Sequence, residues 1–220
     1  MTAMPLRIDF VSDVACPWCL VGLKGLLKAL AAVGGDVKAE IHFQPFELNP
    51  DMAPEGENTA EHVAKKYGST RERSDVFRRV IVERGAALGF AFNYNSGSRI
   101  WNTFDAHRLL HWAALEGKQL ELKQALFKLT FTDQRPTNDA AALLDAVREA
   151  ELDAERARAI LDSDEFVVEV RAEEALWRGR GIQAVPTVIF NQRWMVQGGQ
   201  PPEVFEQAIR DIVSGAAQNA

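Results

Sequence analysis

The chain has 220 residues, enough for one large domain or two small ones, with 47% hydrophobic and 25% charged residues and no low-complexity tract. Its formal net charge of −6 argues against nucleic acid as a partner, because phosphate binding needs a net basic face. Arg71, Arg73, Arg78 and Arg79 come closest to a basic patch, and their spacing reads as the solvated side of a helix.

Met1 to Phe10 carries neither an apolar h-region nor a cleavage-site pattern. No uninterrupted apolar run approaches the roughly 20 residues of a spanning helix. The expectation is a cytoplasmic protein that does not engage a membrane. Leu6 to Val11 (LRIDFV) is apolar and partly β-branched, which predicts a core strand. After Ser12-Asp13 comes CPWCLVGLKGLLKALAAV, whose Leu20, Leu23, Leu27, Leu30 and Val33 recur at helical spacing. Pro17 suits the first turn of that helix, where an N–H would lack a partner anyway, and Gly34-Gly35 ends it. Lys38 to Phe46 returns to strand character. Strand, helix and strand in this order predict a parallel pair joined by a helical crossover.

From Asn58 to Gly181 nearly everything reads helical. Asn58 with Glu61, and Ser69 with Glu72, have capping-box spacing. Asn102 is placed to cap TFDAHRLLHWAALE. Further helices are expected over Leu120 to Phe131, Asn138 to Ala150, Asp153 to Leu161 and about Ser163 to Arg180. Gly89 to Ile100 is the least helical part and reads as an ordered loop. The tail switches back: Thr187 to Phe190 and Trp194 to Gln197 predict a hairpin turning at Asn191-Gln192. A last helix opens at Pro201-Pro202 and runs through Ile212. The expected fold is α/β and thioredoxin-like, βαβ … ββα, interrupted by an inserted all-helical domain. Residues 1–57 and 181–220 would form the discontinuous sheet domain and 58–180 the insertion.

The chemistry concentrates at Cys16-Pro17-Trp18-Cys19, which holds the chain's two cysteines. A disulfide across so short a loop restrains little chain, and two cysteines are too few for a closed zinc site. His107 and His111 lie one helical turn apart, but a third ligand is lacking, so no metal is expected. A C-x-x-C beside a βαβ unit reads as a redox dithiol. Positions i and i+3 share a helix face, so the two sulfurs can meet. Cys16, at the helix N-terminus, sits where backbone N–H groups and the macrodipole favour a thiolate, so its pKa is expected to fall. Cys16 is therefore the expected nucleophile and Cys19 the resolving thiol. Trp18 is expected exposed on the rim as an apolar platform.

Taken together, DFVSDVACPWCLVG (Asp9 to Gly22), FQPFELNP (Phe43 to Pro50), NTFDAHRL (Asn102 to Leu109), GIQAVPTVIF (Gly181 to Phe190) and GGQ (Gly198 to Gln200) resemble the DsbA-like thioredoxin-superfamily oxidoreductases, in particular the FrnE-like branch. That branch is similar to 2-hydroxychromene-2-carboxylate isomerases and kappa-class glutathione transferases, which typically carry serine at the position of Cys16. The resemblance implies a cis peptide bond before Pro186, with Val185 offering backbone hydrogen bonds to a bound peptide or thiol. It implies substrate contacts from Pro17, Trp18, Val185, Pro186 and Asn102, and makes Asp13 and His107 candidate modulators; the alternatives are that Asp13 caps its own loop and that the Asn102 to Arg108 segment docks the helical block on the sheet. Many relatives keep a buried acid six residues before the first cysteine; here that position is Phe10, with Asp9 on the opposite face of the strand. No resident cofactor is implied, and glutathione is a candidate thiol substrate. Protein or small-molecule thiols and disulfides are the expected partners, and a homodimer is an open expectation. The alternative is a glutathione-dependent isomerase or transferase acting on a small aromatic or polyketide-like substrate in an apolar cleft.

Overall fold

A computed structural model describes residues 3–215, with every side chain among them except that of Arg71. Strand β1 (Met4–Ser12) runs into helix α1 (Pro17–Val33), a 3-10 turn over Gly34–Asp36 and strand β2 (Val37–Pro45). β1 and β2 are parallel, with Phe10 opposite Phe43. At the other end of the chain, β5 (Thr187–Phe190), β6 (Trp194–Gln197) and α9 (Pro202–Ser214) complete the sheet unit. β5 pairs antiparallel with β1, which gives the strand order β2-β1-β5-β6. The hairpin turns where Asn191 and Gln192 both adopt positive φ, as a two-residue turn matching the twist of its strands requires.

Between these ends lie β3 (Glu57–Asn58) and β4 (Arg99–Ile100), which pair with each other, and helices α2 (Thr59–Tyr67), α3 (Arg71–Ala87), α4 (Phe104–Leu115), α5 (Gln119–Phe131), α6 (Ala140–Glu149), α7 (Ala154–Leu161) and α8 (Val167–Gly179). Several starts differ by one to four residues from the sequence expectation. Thr70 rather than Ser69 caps α3, accepting from Arg73 N. α6 begins at Ala140 instead of Asn138, with Asp139 as its cap accepting from Ala142 N. α8 begins at Val167 instead of Ser163, because Phe166 takes a left-handed φ of 64° that a continuous helix excludes.

Leu6, Ile8 and Phe10 of β1 point to one face of the sheet, where they pack with α1 and with Phe205, Ile209 and Ile212 of α9. The same core takes Ile81, Phe92, Phe127 and Phe131 from the helical insertion. On the opposite face, Val11 packs with Phe46, Trp177 and Ile182, and buried Asp9 accepts from Arg7 and Gln44. Gln119 closes the outer edge of β2, accepting from Phe43 N at 2.9 Å and donating to Phe43 O at 3.0 Å. A separate core joins α4, α5, α6 and α7. Pro17–Asp36 is long and apolar enough to cross a membrane by length and composition alone, a point that reading only uninterrupted apolar runs passes over. In the fold it is the central helix of the sheet unit, its apolar side buried against β1 and α9.

Candidate active site

Cys16 is the N-cap residue of α1, in extended conformation, and Pro17 follows at the first helical position. Cys16 N donates to Asp13 O at 3.2 Å, and Cys19 N donates to Cys16 O at 3.0 Å, which sets the turn that brings the two side chains to one end of the helix. Both are free thiols; Cys16 keeps 4% of its surface exposed and Cys19 is fully buried. Opposite them the Val185–Pro186 peptide bond is cis, and the Cys16 thiol donates to Val185 O at 3.6 Å. Gly198 N donates to Pro186 O at 2.8 Å and ties this loop to the end of β6. The close approach depends on missing side chains. A Cβ at Gly199 would lie 2.8 Å from the Trp18 carbonyl oxygen, and one at Gly22 would lie 3.1 Å from Pro186 Cγ.

Trp18 is half-buried instead of exposed. It packs on Gly199, and the Arg84 guanidinium lies 5.5 Å from its ring while donating to Gly199 O at 3.2 Å. Two tyrosines lie within electrostatic range of Cys16, and Tyr94 of these packs on Phe92 and Phe131. Burial and the neighbouring Cys16 raise the pKa of both Tyr67 and Tyr94, and Tyr67 stays 63% exposed.

Beneath the dithiol the polar groups are buried. Asp13 accepts from Ala15 N at 3.1 Å and Leu48 N at 2.7 Å, so it closes its own loop as an Asx turn does. Its carboxylate also lies 3.5 Å from His107 Nε2, long for a hydrogen bond. Burial pushes the Asp13 carboxyl up, but His107 and the two amides outweigh it and hold the group below its ordinary value. Burial pushes the Cys19 thiol well up, the neighbouring Cys16 adds to this, and the charge of Lys123 opposes it. Lys123 reaches this region from α5. Its side chain is fully buried, its Nζ has no hydrogen-bond partner among the described residues, and burial lowers its pKa to about 8. Phe10 fills the place where a buried acid was expected and packs in the core with both cysteines.

A family model for the DSBA-like thioredoxin domain matches residues 7–210. This chain belongs to the DsbA-like thioredoxin family. A probable DsbA oxidoreductase of Streptomyces coelicolor is 34% identical and superposes with a TM-score of 0.88, over 96% of this chain and 90% of that one. YwbO of Bacillus subtilis, an uncharacterized protein, is 27% identical over 94% of this chain and 98% of its own length. The cytosolic disulfide reductase DsbM of Pseudomonas aeruginosa, solved with GSH, shares the fold at a TM-score of 0.64 and 16% identity, over 94% of this chain and 99% of that one.

In this DsbA-like chain, Asn102 has its side-chain groups engaged within the protein. Its Nδ2 donates to Glu47 Oε1 and Pro50 O, and its Oδ1 accepts from Phe104 N. It thereby joins a cluster that sequence reading passed over, in which Arg171 of α8 binds both Glu47 and Glu174 and lies 3.7 Å from the Phe104 ring centroid. His111 pairs with Glu173 at 3.4 Å and packs on Phe166, the role of a helix-packing side chain. Among the described residues, no group of three or more His, Cys, Asp or Glu is placed to hold a metal ion. A cavity of about 460 Å³ lies between α1 and α5, lined by residues such as Leu23, Phe90 and Lys128, and its lining includes neither cysteine. Lys123 was also missed. The available signal was a lysine on the stripe Leu120, Lys123, Phe127, Phe131, whose other members are all apolar.

Proposed function

We propose that this protein is a thiol–disulfide oxidoreductase working through Cys16 and Cys19. The Cys16 thiolate attacks a substrate disulfide and forms a mixed disulfide. Cys19 then attacks Cys16 Sγ, closes the intramolecular disulfide and releases the substrate thiol; the reverse sequence oxidises a substrate dithiol. The observation that carries this reading is the unequal placement of the two sulfurs. Cys16 stands at the N-cap against the carbonyl of Val185, whereas Cys19 is enclosed one turn further in. Residues 185 and 186, with Trp18 and Pro17, form the surface on which an extended substrate would lie. Glutathione belongs to the proposed substrates as a small thiol, and the cytosolic DsbM relative lends support to a cytoplasmic role.

Cys19→Ser is the deciding variant. Incubated with a disulfide substrate, it should accumulate a Cys16-linked mixed disulfide, visible as an added mass that a reductant removes. Failure to form any adduct, while the wild type turns over, overturns the dithiol mechanism. Full activity of Cys19→Ser with glutathione on a small aromatic substrate would favour the isomerase or transferase alternative instead.

A further inference from the structure

Lys123 is a cation-forming group in the wrong solvent. It is fully buried, its Nζ lacks a hydrogen-bond partner among the described residues, and its flanks are the rings of Phe43 and Phe127, at 5.8 and 5.1 Å from Nζ. A permanent ammonium there is costly, because water is gone and no acceptor replaces it. The titratable groups facing it come from four elements. Cys16 and Cys19 lie at the start of α1 and Asp13 in the turn before it, while His107 and His111 on α4 and Glu173 on α8 line the small cavity that Lys123 also lines. Cys19 has the complementary problem, since a thiolate at its position is equally enclosed. A proton passed between the two creates both charges at once within one buried neighbourhood, bounded by Phe43 and Phe127 of the core that also holds Cys19, and leaves its net charge unchanged.

We propose that Lys123 holds the proton that Cys19 gives up when it resolves the mixed disulfide, and so ties the charge of the inserted helices to the redox state of the dithiol. The proposal rests on the oxidoreductase reading above. In the step, Cys19 Sγ–H gives up its proton and the neutral Lys123 Nζ takes it up; the two are not hydrogen-bonded in the dithiol form, so they close on each other or share one water for the transfer. The Cys19 sulfur attacks Cys16 Sγ, and the Cys16–Cys19 bond forms as the Cys16–substrate S–S bond breaks. The electron pair leaves on the substrate sulfur, which takes a proton from solvent; the enzyme dithiol is oxidised by two electrons and the substrate disulfide reduced by two. The Lys123 ammonium then faces a disulfide instead of a thiolate and releases its proton. Lys123 acts through Cys19 and touches no substrate.

Two measurements test this. With a preformed Cys16–glutathione mixed disulfide, glutathione release by Lys123→Met should be about 100-fold slower than wild type at neutral pH, the lower end of what a positioned proton acceptor contributes. It should also rise about ten-fold per pH unit in the alkaline range as hydroxide replaces the lysine. Attack of Cys16 on oxidised glutathione in a Cys19→Ser background should change little. An unaltered pH profile of release in Lys123→Met overturns the proposal. The second measurement needs no variant: the Lys123 Cε resonance of lysine-labelled wild-type protein is titrated in the oxidised and reduced states. Different midpoints support the coupling, and identical midpoints overturn it, even if Lys123→Met does not fold. Absence of any exchange between wild-type protein and a model disulfide removes the oxidoreductase reading instead, and the two-state titration still reports on the lysine.

Discussion

At Asp13 the amides of Ala15 and Leu48 and the His107 ring converge on one buried carboxylate, which therefore joins the β1–α1 turn, the β2 exit and α4. Its folded pKa lies below the ordinary 3.8, so its contribution is present above that value and disappears as pH falls through the folded pKa. Asp13→Asn should thus be less stable than wild type at neutral pH, and the gap should close in strong acid; urea titrations across pH measure it. Lys123 destabilises where Asp13 stabilises, although the pH dependence has the same sign. Its pKa is lowered from 10.5 to about 8, so the unfolded chain binds more protons and stability rises with pH across that interval. At about 1.4 kcal/mol per pKa unit, Lys123→Met in the reduced protein should gain on the order of 3 kcal/mol at neutral pH, and the advantage should fade above the ordinary lysine value. Gly199→Ala tests the contact between Trp18 and the loop before α9. A methyl 2.8 Å from the Trp18 carbonyl oxygen must push that loop away, at a cost of about 1–3 kcal/mol in thermal or chemical unfolding, with slower disulfide exchange.

At the scale of elements, the local signals and the folded elements largely coincide. Pro17 starts α1, Asn58 caps α2 by accepting from the amides of residues 60 and 61, and Asp153 caps α7 in the same way. These are contacts within a few residues, and the chain code alone specifies them. Asp153→Ala is expected to cost about 1 kcal/mol, read as a lowered urea midpoint with an unchanged slope. Where the reading slipped, two neighbouring residues could each have capped, as at Ser69 and Thr70, or a single left-handed residue broke the pattern, as at Phe166. β3 and β4 escaped notice because two residues show no periodicity; their pairing depends on segments some 40 positions apart.

Across the whole molecule, the two chain ends form one sheet around β1, and the helical insertion is fastened to it in several places. Gln119 binds the free edge of β2, Arg171 and Arg178 hold the segment after β2 through Glu47, and Phe127 and Phe131 enter the sheet's core. Glu47 is buried, and burial pushes its carboxyl up against the pull of Arg171. Arg171→Met leaves that carboxylate with a poorer partner and should cost about 2 kcal/mol, a value reduced because Arg171 is itself half exposed. We propose that residues 58–180 and the sheet residues, though separable in sequence, unfold together. Tryptophan fluorescence and far-ultraviolet circular dichroism should then give one coincident transition; two separated transitions would show independent units.

The sequence by itself determined what depends on neighbours along the chain: a dithiol at a helix start, a parallel β1–β2 pair, a hairpin turning at two residues able to adopt positive φ, and the order of helices between them. It also carried the family, because motifs from Asp9 to Gln200 are spread over most of the length. Tertiary structure decided which polar groups are buried and against what. Asn102 is held by Glu47 and Pro50, Asp13 meets His107 about 90 residues away, and Lys123 is enclosed between Phe43 and Phe127 although it is written into an otherwise ordinary amphipathic helix. The physical reason is that burial belongs to whatever covers a residue. For Cys16 and Cys19 that cover comes partly from their own helix; for Lys123 it comes from strands and helices far away in the chain.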